Sequence, residues 1–357
     1  MDVLDAVNSL GHVESLGRLE DLPPEYLKAI NDLSVAPLWP QLRGLLPRNK
    51  PVRSTQPFMW RYEDVRPHLL RAGELTPIEK AERRVLVLCN PGHGIDKLVA
   101  TPTIYVGLQL ILPGEVAPNH RHTPTAVRFV IEGSGGYTTV NGEKCPMEKG
   151  DLILTPALNW HEHGHEGSGP VIWMDTLDLP MVYAMEASYA IEGPSQRTRP
   201  DLDASQNKYR RAGLLPYTSL GQAERPKYPQ IRFPWTDVRE ALGMLASVTP
   251  ADEAVQLAYV NPETGQSCLP TLGFSAQLLR DGQDWRPRKR SASSVIHVIE
   301  GRGESVIDGT LLRWSEGDTL AVPTHAEVTH RASGQDAYLF HVDDAPMQRA
   351  LGFYEDL

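Results

Sequence analysis

The sequence predicts a mainly β protein, built as two copies of one small antiparallel β-barrel behind an N-terminal helical region. Three observations carry that prediction. Short apolar segments with turn residues between them recur over most of the chain. A set of short motifs returns in the same order 167 or 168 residues later. The 29 glycines and 30 prolines suit a fold of many turns.

Residues 1–84 read as the helical region. Pro24 opens a helix in which Tyr26, Leu27, Ile30 and Leu33 fall at helical spacing, and Pro37 and Pro40 end it around Trp39. A second helix is expected over 62–70, and Pro77 opens a short third. From residue 85 the period changes. Residues 85–88 are a short apolar run stopped by Asn90-Pro91-Gly92. Over 104–112, Tyr105, Gly107 and Gln109 share one strand face while Ile104, Val106, Leu108 and Leu110 share the other. Strands follow over 127–132 and 136–140, the latter ending in the hairpin signal Asn141-Gly142. The turn Lys149-Gly150-Asp151 leads into a strand over 152–155, and 171–177 is another.

The repeat sets the domain organisation. Pro102-Thr103 returns as Pro270-Thr271, Gln109-Leu110 as Gln277-Leu278, and Val130-Ile131-Glu132-Gly133 as Val298-Ile299-Glu300-Gly301, each offset by 168. Asn141-Gly142 and Asp308-Gly309, Gly150-Asp151 and Gly317-Asp318, and Pro156 and Pro323 are offset by 167, so a hairpin lost one residue. The expected layout is a helical arm (1–84), a first barrel (85–185), a proline-rich connection (186–250) and a second barrel with a C-terminal tail (251–357).

Composition excludes several functions. Lys and Arg number 35 against 45 Asp and Glu, a net charge of −10. Binding to nucleic-acid phosphates or to an anionic membrane surface needs the opposite balance. The most apolar run, 104–112, is far shorter than the roughly 20 residues of a spanning helix. The N-terminus, Met-Asp-Val-Leu-Asp, lacks the basic and apolar regions of a signal peptide. Three cysteines without CxxC spacing read as reduced thiols, and the expected location is the cytoplasm.

Five of the twelve histidines lie between 120 and 165. His120 and His122 are two apart, hence on one strand face. Gly114, five residues, His-x-His and then Gly133 resemble the first cupin motif; Gly150, five residues, Pro156 and His161 resemble the second. The three imidazoles suit Fe, Zn, Cu, Ni or Mn. Many cupins place a Glu ligand where this chain has Ala126, so the set carries no carboxylate and leaves the ion's full charge for a chelating anion. In the second copy His120, His122 and His161 become Arg288, Arg290 and Val328, so that barrel is expected to be metal-free. Strand parity turns Arg128 inward with Ala126, and a buried arginine calls for an anion. It also puts His163 and His165 on the face of His161. His163 is the acid/base candidate, with Asp175 a candidate to orient it, and His165 is expected to be structural. Gly107 is expected to leave room for a ring.

The run Tyr105-Val106-Gly107-Leu108-Gln109 through Pro113-Gly114-Glu115-Val116-Ala117-Pro118-Asn119-His120-Arg121-His122 resembles the gentisate 1,2-dioxygenases, which are bicupin ring-cleaving enzymes. So do Arg128-Phe129, Trp160-His161 and Trp173-Met174-Asp175-Thr176-Leu177-Asp178, and outside the barrels Pro37-Leu38-Trp39, Trp60 and Glu82-Arg83-Arg84. The resemblance spans nearly the whole chain. It implies a bicupin of two jelly-roll barrels and mononuclear Fe(II) on His120, His122 and His161. It also implies an extradiol-type dioxygenase that cleaves gentisate with O2 to maleylpyruvate in aromatic catabolism. Arg83, Arg128, Tyr105, Gly107 and Gln109 are implied around the substrate, with His163, Asp175 and Arg128 catalytic, in a homotetramer. Salicylate and 1-hydroxy-2-naphthoate dioxygenases share this framework and stay open as alternatives. A non-oxidative metal-dependent cupin enzyme stays open as a further one.

Overall fold

The protein is described by a computed structural model covering residues 17–221 and 224–357. It divides into two units after Ser54. The first holds the helix Pro24–Asp32, with proline in its opening turn, and the short helix Leu42–Leu45. The second carries the strands β1 (Phe58–Trp60), β2 (Arg84–Val87), β3 (Tyr105–Ile111), β4 (Val116–His122), β5 (Ala126–Glu132), β6 (Gly136–Val140), β7 (Glu143–Met147), β8 (Leu152–Thr155), β9 (His161–His165) and β10 (Val171–Leu177). There follow β11 (Ala190–Glu192), β12 (Arg232–Phe233), β13 (Val255–Ala258), β14 (Gly273–Leu279), β15 (Asp284–Trp285), β16 (Ser294–Glu300), β17 (Arg302–Ile307), β18 (Thr310–Ser315), β19 (Thr319–Val322), β20 (Val328–Ala332) and β21 (Ala337–Asp343).

Two barrels result, each of two facing sheets. The first pairs the sheet β12-β8-β5-β10-β3-β2 with β11-β4-β9-β6-β7, and the second pairs β1-β19-β16-β21-β14-β13 with β15-β20-β17-β18. Strand β1 lies in the stretch read as helical, yet it pairs with β19 of the second barrel. Its counterpart β12 pairs with β8 of the first. Each barrel therefore takes an edge strand from the segment preceding the other. Strands of two or three residues are too short to show alternation, which is why sequence reading passed over both. The same holds for 186–250, which contains β11, β12 and the helices Ala204–Tyr209 and Trp235–Val248.

The repeated motifs mark where the two copies grip each other. The helix Tyr62–Leu75 starts with the Tyr62 backbone N–H donating to Asp318 of the second barrel at 2.9 Å. From the same helix Tyr62 and Arg66 donate to Glu132 of the first barrel at 2.8 and 2.6 Å. The helix Trp235–Val248 reverses the roles: Trp235 N–H meets Asp151 at 2.9 Å, while its indole and Arg239 hold Glu300 at 2.8 and 3.2 Å. A carboxylate at a helix start satisfies an otherwise unpaired N–H and the positive end of the helix dipole. Thr271 donates to Asp178, and Thr103 to Asp344, both at 2.6 Å. These crossed bonds account for the recurrence of Pro-Thr, Glu-Gly and Gly-Asp.

Strand β5 shows where the core lies. Val130 belongs to the interior cluster of the first barrel with Trp173, Ile153 and Met147. Val127, Phe129 and Ile131 instead join Val295, Ile299 and Phe340 of the second barrel in one shared core. Phe129 stacks on Phe340 with centroids 4.2 Å apart. Central strands are thus buried on both faces, one toward their own barrel and one toward its neighbour.

His297 sits in that shared core, 2% exposed, edge-on to Phe129 and hydrogen-bonded to Thr319 at 3.0 Å. Burial, with Lys149 adding to it, pushes its pKa from 6.5 down to about 3. Below pH 6.5 the unfolded chain takes a proton here that the folded chain refuses, so stability falls as pH drops from 6.5 toward 3. The urea midpoint of the wild type should therefore fall more between pH 7.5 and 5.5 than that of His297→Gln. Equal falls would contradict the assignment.

Candidate metal centre

The sheet β11-β4-β9-β6-β7 supplies the histidines. A register irregularity between Ala117 and His120 on β4 brings His120 opposite His161 of β9. One nitrogen from each of His120, His122 and His161 lies within 4.8 Å of the others. Their ring centroids are 4.1, 4.8 and 5.3 Å apart.

The residues fit a metal ion. His122 Nδ1–H donates to the Pro124 carbonyl at 2.7 Å, and His161 Nδ1–H to that of Asn159 at 2.9 Å. In both rings Nε2 keeps its lone pair, and Nε2 of His161 is buried without a protein partner. Burial holds all three rings neutral, His122 at about 4 and His161 well below its ordinary value. Neutral imidazole is the form that ligates. Ala126, 1% exposed, leaves the set without a carboxylate. A second buried group, Glu143, Cys145 and Asp203, is already neutralised: Arg199 pairs with Glu143 at 2.8 Å and Arg232 with Asp203 at 2.6 Å.

The facing sheet supplies the polar groups. Arg128 on β5, Asp175 on β10 and Gly107 on β3 stand in one cross-strand row. Arg128 is 3% exposed, with Nε 3.3 Å from Asp175 Oδ1, and its Nη1 has no partner. Burial lowers it to about 10, and burial raises Asp175 despite the neighbouring arginine. Gln109, 1% exposed, has neither amide atom bonded. Arg83 lies against His120 and donates to the Pro118 carbonyl at 3.0 Å.

Two expectations are corrected. Asp175 does not orient His163, because it belongs to the opposite sheet and pairs with Arg128. The partner of His163 is Thr138 of β6, directly across from it on the adjoining strand, with Oγ1 3.0 Å from Nδ1. Inward parity on the strand ending at Asn141-Gly142 could have pointed to Thr138. Nor is the space beside Gly107 open: a Cβ there would meet Val85 and the Tyr105 hydroxyl at 2.5 and 2.8 Å. The ring that glycine accommodates is that of Tyr105.

The Thr138 contact sets a tautomer. Its hydroxyl donates to Met147 Sδ at 3.4 Å, so Oγ1 accepts from His163 Nδ1–H. Nε2 of His163 is then an acceptor, fully buried and without a partner, on a ring 5.8 Å from that of His161. His165 accepts from Gly167 N–H at 3.1 Å and donates to the Gly169 carbonyl at 2.6 Å, a turn-building role. Sequence reading also missed the strap after the first barrel. Its β11 pairs with His120 and His122, and Gln196 ties it to Asn119 at 3.0 Å and Glu162 at 3.1 Å. No spacing marks such a strap.

Comparisons with known proteins point to one family. The cupin domain family matches residues 107–177. The chain is 51% identical to a gentisate 1,2-dioxygenase of Ralstonia sp, covering 99% of each. It is 38% identical to a 5-aminosalicylate 1,2-dioxygenase of Comamonas sp, over 90% of this chain and 87% of that one. Among solved structures it resembles a salicylate 1,2-dioxygenase from Pseudoaminobacter salicylatoxidans in adducts with gentisate. There the TM-score is 0.86 at 31% identity, covering 95% of this chain and 97% of the other.

Proposed function

The chain belongs to the gentisate 1,2-dioxygenase family of ring-cleaving cupin enzymes, and from that premise we propose that it converts gentisate and O2 to maleylpyruvate with Fe(II) on His120, His122 and His161. The observation that carries the proposal is a set of buried polar groups without protein partners beside three neutral imidazoles. They include Nη1 of Arg128, both amide atoms of Gln109 and Nε2 of His163. Leaving such groups unpaired costs about 1–3 kcal/mol each, and a polar ligand removes that cost.

Each group fits one part of gentisate. Arg128, steadied by Asp175, and Arg83 hold the carboxylate and stabilise charge that develops on oxygen. Gln109 offers both a donor and an acceptor. His163 Nε2 accepts the hydrogen of the 5-hydroxyl, which enriches the ring para to its 2-oxygen. Trp173, fully buried and 5.6 Å from the His163 ring, closes one side and keeps water out. Iron(II), when bound, supplies the electron transfer between an electron-rich ring and O2. The bond broken joins the carboxylate-bearing carbon to the hydroxylated carbon beside it, outside any diol, and both atoms of O2 enter the product.

The enzyme is proposed to work in aromatic catabolism as a cytoplasmic homotetramer, the assembly the family resemblance implies. Cys89, Cys145 and Cys268 are all unpaired. No helix among the described residues is long and apolar enough to cross a membrane. An oxygen electrode tests the reaction: iron-loaded protein should consume one O2 per gentisate. Gentisate loss without oxygen uptake would favour a non-oxidative metal-dependent enzyme. Because Arg288, Arg290 and Val328 replace the ligands in the second barrel, iron should saturate near one equivalent per chain. A second equivalent that disappears in Arg288→Ala would contradict this.

A further inference from the structure

The second barrel keeps a cavity of about 390 Å³ at the position corresponding to the metal site. Val328 stands in its wall where the first barrel has His161, and Arg288 and Arg290 stand where it has His120 and His122. The counterpart of His163 survives as His330, 1% exposed, and that of Gln109 as Gln277, fully buried. A barrel that merely braced its neighbour would have no need of a polar floor. Apolar side chains would fill that space at lower cost.

The support of His330 is inverted relative to His163. Ser305 replaces Thr138 and Trp314 replaces Met147, so an N–H donor stands where a sulfur acceptor did. Trp314 Nε1–H donates to Ser305 Oγ at 2.9 Å, and Ser305 Oγ lies 2.7 Å from His330 Nδ1. The buried serine proton has His330 Nδ1 as its acceptor, which leaves His330 carrying its proton on Nε2. The first barrel presents an acceptor at this place; the second presents a donor. Beside it, Trp285 stacks on the His330 ring at 5.5 Å and 14°, with Ile296 and Val322 completing an apolar wall. His341 and Gln277 hold each other at 2.9 Å behind. The mouth is cationic. Arg290 is paired with Asp343 at 2.9 Å and Arg288 loosely with Asp356 at 3.8 Å, while Arg286 has no carboxylate partner among the described residues.

We propose that the second barrel is a metal-free binding site for a small aromatic carboxylate. The ring lies against Trp285, an oxygen accepts from His330 Nε2–H, and the carboxylate sits at Arg286 and Arg288. The choice of ligand class rests on the reading of the first barrel as an aromatic-acid site, and the site itself does not.

Anaerobic equilibrium dialysis with radiolabelled salicylate tests it. Iron-loaded wild type should bind two equivalents per chain, and the iron-free protein should keep one. Val328→Trp, which fills the cavity, should remove the iron-independent equivalent while leaving gentisate turnover at low substrate unchanged. Arg288→Glu, on an exposed side chain that the fold does not need, should weaken that equivalent about tenfold or more. Loss of the iron-dependent equivalent alone would count against the proposed function. Absence of any iron-independent equivalent, or one indifferent to both substitutions, would overturn this proposal.

Discussion

His161→Ala should lose iron and turnover together while keeping the fold. His161 is fully buried within the three-imidazole cluster, and its Nε2 is buried without a protein partner. Two histidines on one strand then remain, without a carboxylate to complete the set. Metal retention should fall well below one equivalent after desalting. Turnover should drop about a thousandfold or more, the scale of the several kcal/mol a catalytic ion contributes. The barrel should survive, because its strands are held by a core that includes neither ring nor ion: Val130, Met147, Ile153 and Trp173 on one face, Phe129 and Phe340 on the other. Metal analysis, oxygen uptake and circular dichroism check the three parts. Near-normal uptake with iron still bound would contradict the ligand assignment.

His163→Ala or His163→Gln should separate chemistry from metal binding. In the proposed arrangement the ring does not hold iron, and Arg128 and Arg83 still anchor the carboxylate. Binding should therefore weaken little, while turnover of gentisate should fall by roughly the 10²–10⁴ typical of a general acid–base group. Salicylate lacks the 5-hydroxyl proposed to meet Nε2 of His163, so the wild type should turn it over more slowly than gentisate. The variants should narrow that gap. If wild type handles both acids equally, or if either variant keeps full gentisate turnover, the role of His163 fails and a salicylate-type enzyme becomes the better reading.

Much of this site was legible in the residues because a strand's period is two. His120 and His122 two apart, and Arg128 two past Ala126, had to share the faces that the structure gives them. The polar set Tyr105, Gly107 and Gln109 read correctly as an inward face, since its neighbours Val106 and Leu108 face the second barrel. Period does not say which strands meet, however. Asp175 is a candidate partner of His163 by alternation alone, yet their strands lie in opposite sheets, and Thr138, the real partner, lies 25 residues before His163. Crossed pairings of β1 and β12 were invisible for a related reason, being long-range contacts between segments too short to alternate. The recurring Thr, Glu and Asp were visible as a repeat, but their role as cross-barrel contacts was not.

The product formed under ¹⁸O2 tests the central claim most directly. Iron-loaded protein given gentisate should yield maleylpyruvate carrying two labelled atoms, one in the new carboxylate and one in the keto group next to the original carboxylate, provided that ketone is trapped by reduction before it exchanges with water. An unlabelled product, or one that has lost CO2 with its ring intact, would contradict ring cleavage by a dioxygenase.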